Sequence, residues 1–120
     1  MLRADYDTQT CSVARALEIV GERWTLLILR DMFLGVRRFE AIQQDLGIAR
    51  NVLATRLDKL VAAGVVERRR YCERPPRDEY RLTEKGLDLW PTIVSLMQWG
   101  DLHAPSPGGP PTILRHRGCG

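Results

Sequence analysis

Arg38-Phe39-Glu40-Ala41-Ile42 begins a short amphipathic helix with Phe39, Ile42 and Leu46 on one face, and Gly47-Ile48-Ala49 breaks it. Residues 50–63 start a second helix. Val65-Val66-Glu67-Arg68-Arg69-Arg70-Tyr71 then reads as a strand, Glu73-Arg74-Pro75-Pro76-Arg77-Asp78 as a turn, and Glu79-Tyr80-Arg81-Leu82-Thr83 as the returning strand. Two short helices joined by a tight turn and followed by a charged hairpin are what a winged helix needs to dock on duplex DNA.

Upstream, Val13, Ala16, Leu17 and Val20 recur at helical spacing, and Gly21 ends that helix. A second helix over about residues 23–34 carries Trp24, Leu27, Ile28, Met32 and Phe33, apolar over most of its surface, and is expected at the buried centre. Gly35 stops it. In the helix after Ala49, Leu53, Leu57, Leu60 and Val61 form a stripe toward the core, and Gly64 is its stop. Pro75-Pro76 belongs to the tip or an edge, because proline cannot serve a central strand. Thr83 caps a last helix bearing Leu89, Trp90, Ile93, Val94, Met97 and Leu102. Pro91 demands either a kink near Leu87 or a restart with the proline in the first turn. Residues 1–10 form a polar arm, 11–103 the domain, and 104–120 a flexible tail rich in Pro and Gly.

A chain of 120 residues, 44% apolar, has room for one core without disulfide or metal support. Its formal charge of +3 is modest, but six arginines lie between Arg68 and Arg81, a clustered footprint of the kind phosphate binding requires. Cys11, Cys72 and Cys119 have neither the number nor the spacing of a disulfide framework or a Cys-x-x-Cys metal site, which suggests reduced thiols in a cytoplasm. Neither a signal peptide nor a membrane span is written in the chain. His103 and His116 lie in or beside the tail with no nucleophile–base or metal-ligand spacing around them, so an enzyme is not expected, nor a cofactor or metal.

In a helix-turn-helix the N-terminal half of the second helix enters the major groove. With Leu53, Leu57 and Leu60 inward, Arg50, Asn51, Thr55, Arg56 and Lys59 lie on or beside the opposite face. Arg50 and Asn51 are the expected base readers, since arginine pairs with guanine and asparagine with adenine in a bidentate manner. Thr55, Arg56 and Lys59 are expected on phosphates. Arg74 and Arg77 flank the stiff Pro75-Pro76 tip, suited to a backbone or a narrow minor groove. Arg37 and Arg38 sit at the start of the first of the two helices, within reach of phosphate. The same residues would also serve a solvated helix face and an edge hairpin kept soluble by charge. Arg68, Arg69 and Arg70 alternate faces, so at least one should lie stem-first over the core.

The chain resembles the HxlR-type (DUF24) branch of winged-helix transcriptional regulators, relatives of the MarR group. The matching residues run in order over residues 11–100. They are Cys11; the run from Ala16-Leu17-Glu18 through Gly21-Glu22-Arg23-Trp24-Thr25 to Leu29-Arg30; Gly35-Val36-Arg37-Arg38-Phe39; and Leu53, Arg56-Leu57, Leu60 and Gly64-Val65-Val66. Pro75-Pro76-Arg77, Glu79-Tyr80, Leu82-Thr83, Gly86 and Trp99-Gly100 complete the set. The resemblance implies a homodimer whose first and last helices form the interface, a role that suits Leu89, Trp90, Ile93, Val94 and Met97. Many members carry serine where Ala49 stands, and the missing oxygen weakens the helix cap by ~1 kcal/mol. In some relatives the cysteine corresponding to Cys11 senses oxidants or electrophiles, which makes Cys11 the sensor candidate; a helix N-terminus favours thiolate chemistry. Cys72 is a candidate partner or a passive residue. Trp24, Trp90 and Trp99 either belong to the core or line a small-effector pocket.

The expected fold is therefore α+β and mostly helical, a winged helix-turn-helix with a two-stranded β wing and a C-terminal dimerisation helix. The expected function is a sequence-specific DNA-binding transcriptional regulator. It would be a homodimer on a pseudo-palindromic duplex operator with recognition helices roughly 34 Å apart, answering to thiol oxidation or a small effector. The rival is a winged-helix assembly module that binds acidic protein and not DNA.

Overall fold

A computed structural model of the chain describes residues 11–105 and residue 107. The N-terminal arm and most of the tail, with His116 and Cys119, lie outside them. Helix α1 spans Ser12–Val20, α2 Thr25–Phe33, α3 Phe39–Leu46 and α4 Arg50–Ala62. Strands β1 (Val66–Glu73) and β2 (Pro76–Leu82) follow, then the single turn α5 (Glu84–Leu87) and α6 (Trp90–His103). The result is the mostly helical winged helix-turn-helix that the residue pattern predicts.

Helix α2 is the centre, as its apolar content requires: Ile28 and Leu29 are fully buried and Met32 nearly so. Leu27, however, is 41% exposed. One residue before Ile28 is about 100° round the helix, and the core covers one side only. Asp31, which interrupts the apolar run, is fully buried, with Arg30 Nη2 donating to its Oδ1 at 2.9 Å. Ahead of the helix, Trp24 takes a left-handed backbone (φ 81°), a strain of order 1–3 kcal/mol for a bulky residue.

The turn between α3 and α4 works because Gly47 accepts φ +65° and its neighbour Ile48 is buried beneath it. Leu53, Leu57 and Leu60 of α4 are fully buried, whereas Val61, expected in the same stripe, is exposed. Eight residues past Leu53 amounts to about 80° of rotation, enough to carry Val61 off the core side.

The strands run further than the residue pattern suggests. They pair antiparallel from Val66 opposite Leu82 out to Glu73 opposite Pro76, so the tip shrinks to Arg74-Pro75, whose peptide bond is cis. Pro76 is tolerated on that last rung of a two-stranded sheet, where β2 is an edge strand. Tyr71 is the extra residue of a bulge between Arg70 and Cys72. Tyr80 N donates to Arg37 O at 2.7 Å, tying β2 to the loop before α3.

Thr83 Oγ1 accepts from Gly86 N at 3.1 Å, the cap its position predicts. A Cβ on Gly86 would come within 2.2 Å of Val65 O, so α5 seats against the start of the wing only with glycine there. Of the two outcomes open at Pro91, the restart occurs: α5 stops at Leu87 and α6 begins at Trp90. The chain divides after Leu89, and α6 belongs to a unit of its own.

Candidate nucleic-acid interface

Helix α4 begins without a side-chain cap, Ala49 being extended there with no oxygen to offer. Buried Leu53, Leu57 and Leu60 orient it, leaving Arg50, Asn51 and Thr55 exposed. Thr55 Oγ1 donates to Asn51 O at 2.9 Å. Arg50 does not swing free: its guanidinium carbon lies 4.7 Å from the centroid of the Phe39 ring. Arg38 lies likewise over Tyr71 at 4.5 Å, and Arg68 over buried Tyr80 at 5.8 Å. A ring face holds a cation without cancelling its charge.

These contacts edge a groove of about 700 Å³ whose walls include Arg38 and Arg50 on the helix side and Tyr71, Pro75 and Arg77 on the wing side. Asp58 and Asp78 also line it, so its charge is mixed.

Most of the hairpin's positive charge is answered within the hairpin. Arg68 and Arg70 converge on Asp78 at 3.1 and 3.3 Å, Arg69 meets Glu67 at 3.1 Å, and Arg81 meets Glu79 at 2.7 Å. Arg68 and Arg70 share one side of the strand and Arg69 takes the other, the alternation expected of them. Arg74 and Arg77 stand exposed at and beside the tip, in no ion pair with a described residue. Burial pushes the Tyr80 hydroxyl above its ordinary pKa, with Arg68 opposing.

Arg56 and Lys59 sit on the other flank of α4, and the α1–α2 turn engages both. Arg56 Nη1 lies 2.9 Å from Glu22 Oε2 and its Nε donates to Arg23 O at 3.1 Å, while Lys59 Nζ donates to Glu22 Oε1. The Lys59 hydrogen bond, against some burial and helped by the charge of Arg56, holds the Glu22 carboxyl below the usual carboxylate range. Nothing in the residue spacing connects Glu22 to Arg56 and Lys59, which lie more than thirty positions further along the chain.

Cys11 is exposed and is itself the N-cap of α1, its Sγ accepting from Ala14 N at 3.4 Å. Cys72 is half-buried beside the tip. Of the five residues expected at a dimer interface, Ile93 is buried and Leu89, Trp90, Val94 and Met97 are half-buried. The apolar side chains most open on α6 are Leu96, Trp99 and Leu102. Trp99 stacks near His103, centroids 5.0 Å apart, and Trp24 lies under Arg23. Among the described residues no helix is long and apolar enough to cross a membrane.

The profile of the HxlR-like helix-turn-helix family matches residues 19–107. The chain is 59% identical over 109 residues to an HTH-type transcriptional regulator of Mycobacterium tuberculosis, covering 91% of this chain and 69% of that one. Among solved structures it is similar to PA1607 (TM-score 0.84, 40% identity, 95% of this chain and 80% of that one). It is also similar to the redox regulator HypR in its oxidized form, with TM-score 0.73 and 31% identity over 80% of this chain and all of that one. The reduced transcriptional regulator YodB of Bacillus subtilis matches with TM-score 0.67 and 32% identity, over 80% of this chain and 96% of that one.

Proposed function

The chain belongs to the HxlR-like helix-turn-helix family of transcriptional regulators, and on that premise we propose that it is a cytoplasmic homodimer that binds a pseudo-palindromic DNA operator. What carries the reading is the pairing of two open cationic edges across one groove: Arg50 at the start of α4 and Arg77 beside the wing tip. Arg50 and Asn51 enter the major groove and read bases, with Thr55 on a phosphate beside them. Arg74 and Arg77 hold the flanking backbone and Arg38 a phosphate, positioning the protein without reading sequence. The dimer forms through α6 and the residue before it, with half-buried Leu89, Trp90, Val94 and Met97 meeting the partner and buried Ile93 backing them, and sets the two recognition helices about one DNA turn apart.

Control by thiol oxidation runs through Cys11. Its exposure at a helix N-cap, together with the similarity to HypR and YodB, supports that reading. The test is operator selection from random duplex followed by fluorescence anisotropy at two salt concentrations, with and without diamide. Tight binding that falls with salt and outcompetes random duplex supports the regulator, and loss under diamide that is absent in Cys11→Ser supports the switch. No preference among duplexes would return the chain to the assembly-module reading.

A further inference from the structure

We propose that Glu22 limits DNA affinity by engaging the two cations on one flank of the recognition helix and offsetting one of their two charges. The inference rests on the DNA-binding reading above and adds a residue that lies outside the helix-turn-helix. Its basis is a contrast in how the chain anchors its cations. Arg50 and Arg38 rest on the rings of Phe39 and Tyr71, which leave their charge intact. Arg56 and Lys59, three residues apart on the opposite flank of α4, share a single carboxylate, and both of its oxygens are occupied.

The guanidinium of Arg56 is held on two sides, by Glu22 Oε2 and by Arg23 O, so it cannot turn to a phosphate without releasing both. The cluster of Glu22, Arg56 and Lys59 offers DNA a net charge of one where the helix alone would offer two. A cation neutralised within the protein displaces no condensed counterion from DNA. Each phosphate that a protein does neutralise adds ~0.9 to the slope of log affinity against log salt. In the wild-type complex Arg56 and Lys59 stay with Glu22, and the affinity and its salt dependence come from the ring-supported arginines and the wing tip.

The experiment is Glu22→Gln, with Glu22→Ala as a second charge-removing variant, on the selected operator from low to moderate salt. The pairs are partly exposed and contribute little to stability, so circular dichroism should show both variants folded. Binding is expected to tighten by about tenfold at low salt, and the slope to steepen by about 1 to 2 as one or two phosphates are engaged. That gain should vanish when Arg56→Gln and Lys59→Gln are already in place, which separates a charge effect from a structural one. Equal or weaker binding with an unchanged slope overturns the role of Glu22 and leaves the DNA reading standing. A wild-type protein that binds no duplex in a salt-sensitive manner overturns both.

Discussion

The guanidinium of Arg50 lies on the ring of Phe39, so the first residue of α4 is steadied by the first residue of α3. The two helices of the motif are thereby coupled at the point where the second one is expected to meet base edges. A side chain held on a ring loses less freedom on binding than one that must be ordered from solvent. Phe39→Leu keeps most of the apolar mass and removes the ring face. It is expected to weaken operator binding several-fold with little change in salt slope, whereas Arg50→Ala should cost about 1–3 kcal/mol and relax specificity at one base position. Anisotropy against operators varied one base pair at a time checks both. A Phe39→Leu protein with unchanged affinity would show that the ring contact is incidental.

The wing makes a different prediction. Because Arg68, Arg69, Arg70 and Arg81 are paired inside the hairpin, Arg74 and Arg77 are left as its usable charges. Arg74→Ala and Arg77→Ala should each weaken binding to operator and random duplex alike, and each should lower the salt slope by about 1. By the same reasoning Arg69→Ala should change affinity little. A larger loss at Arg69 than at Arg77 would contradict this division of the hairpin.

Much of this architecture is legible in the residues themselves. Gly21, Gly35, Gly47 and Gly64 punctuate the helices, Leu53, Leu57 and Leu60 orient α4, Thr83 caps α5, and Pro91 marks where α6 restarts. What is not legible depends on distant placement. Asp31 reads as a polar break in an apolar run and is buried. Glu22 reads as part of a turn, yet its carboxylate meets Arg56 and Lys59 of α4, which the local pattern around Glu22 does not announce. The bulge at Tyr71, which sets the hairpin register around Arg38's ring partner, leaves no mark in the local pattern. The six hairpin arginines read as one basic patch because the cross-strand pairing of Arg68 and Arg70 with Asp78 follows from register, which turn residues alone do not fix.

Asp31 offers a test by pH. Burial first, and then the neighbouring Asp45 carboxyl, push its pKa above the ordinary value, while the bond from Arg30 pulls the other way. An acid whose folded pKa is raised holds its proton more tightly in the native state, so its ionisation costs stability. That cost is absent below the unfolded value of about 3.9, grows as pH rises toward the folded value, and is fully present above it. Asp31→Asn, which cannot ionise, should therefore gain stability relative to wild type as pH rises from about 4 to 7. Urea denaturation at a series of pH values measures the difference, and a difference independent of pH would show that Asp31 does not titrate in this window.

Ala49 makes the last prediction, and it links a local defect to the recognition surface. The residue has the extended backbone of an N-cap (φ −63°, ψ 141°) but no side-chain oxygen, so the first amides of α4 lack the partner a serine would supply. Ala49→Ser adds that acceptor at an exposed position, where one more atom meets solvent and not the core. It should stabilise the fold by ~1 kcal/mol, which is about 3–5 °C in Tm for a chain of this size. The same substitution fixes the start of α4, where Arg50 and Asn51 lie, so slower dissociation from operator should accompany the gain in Tm. A rise in Tm with unchanged dissociation would mean that fraying of the first turn does not limit the complex. No rise in Tm would mean that solvent already satisfies the α4 amides as well as a hydroxyl can.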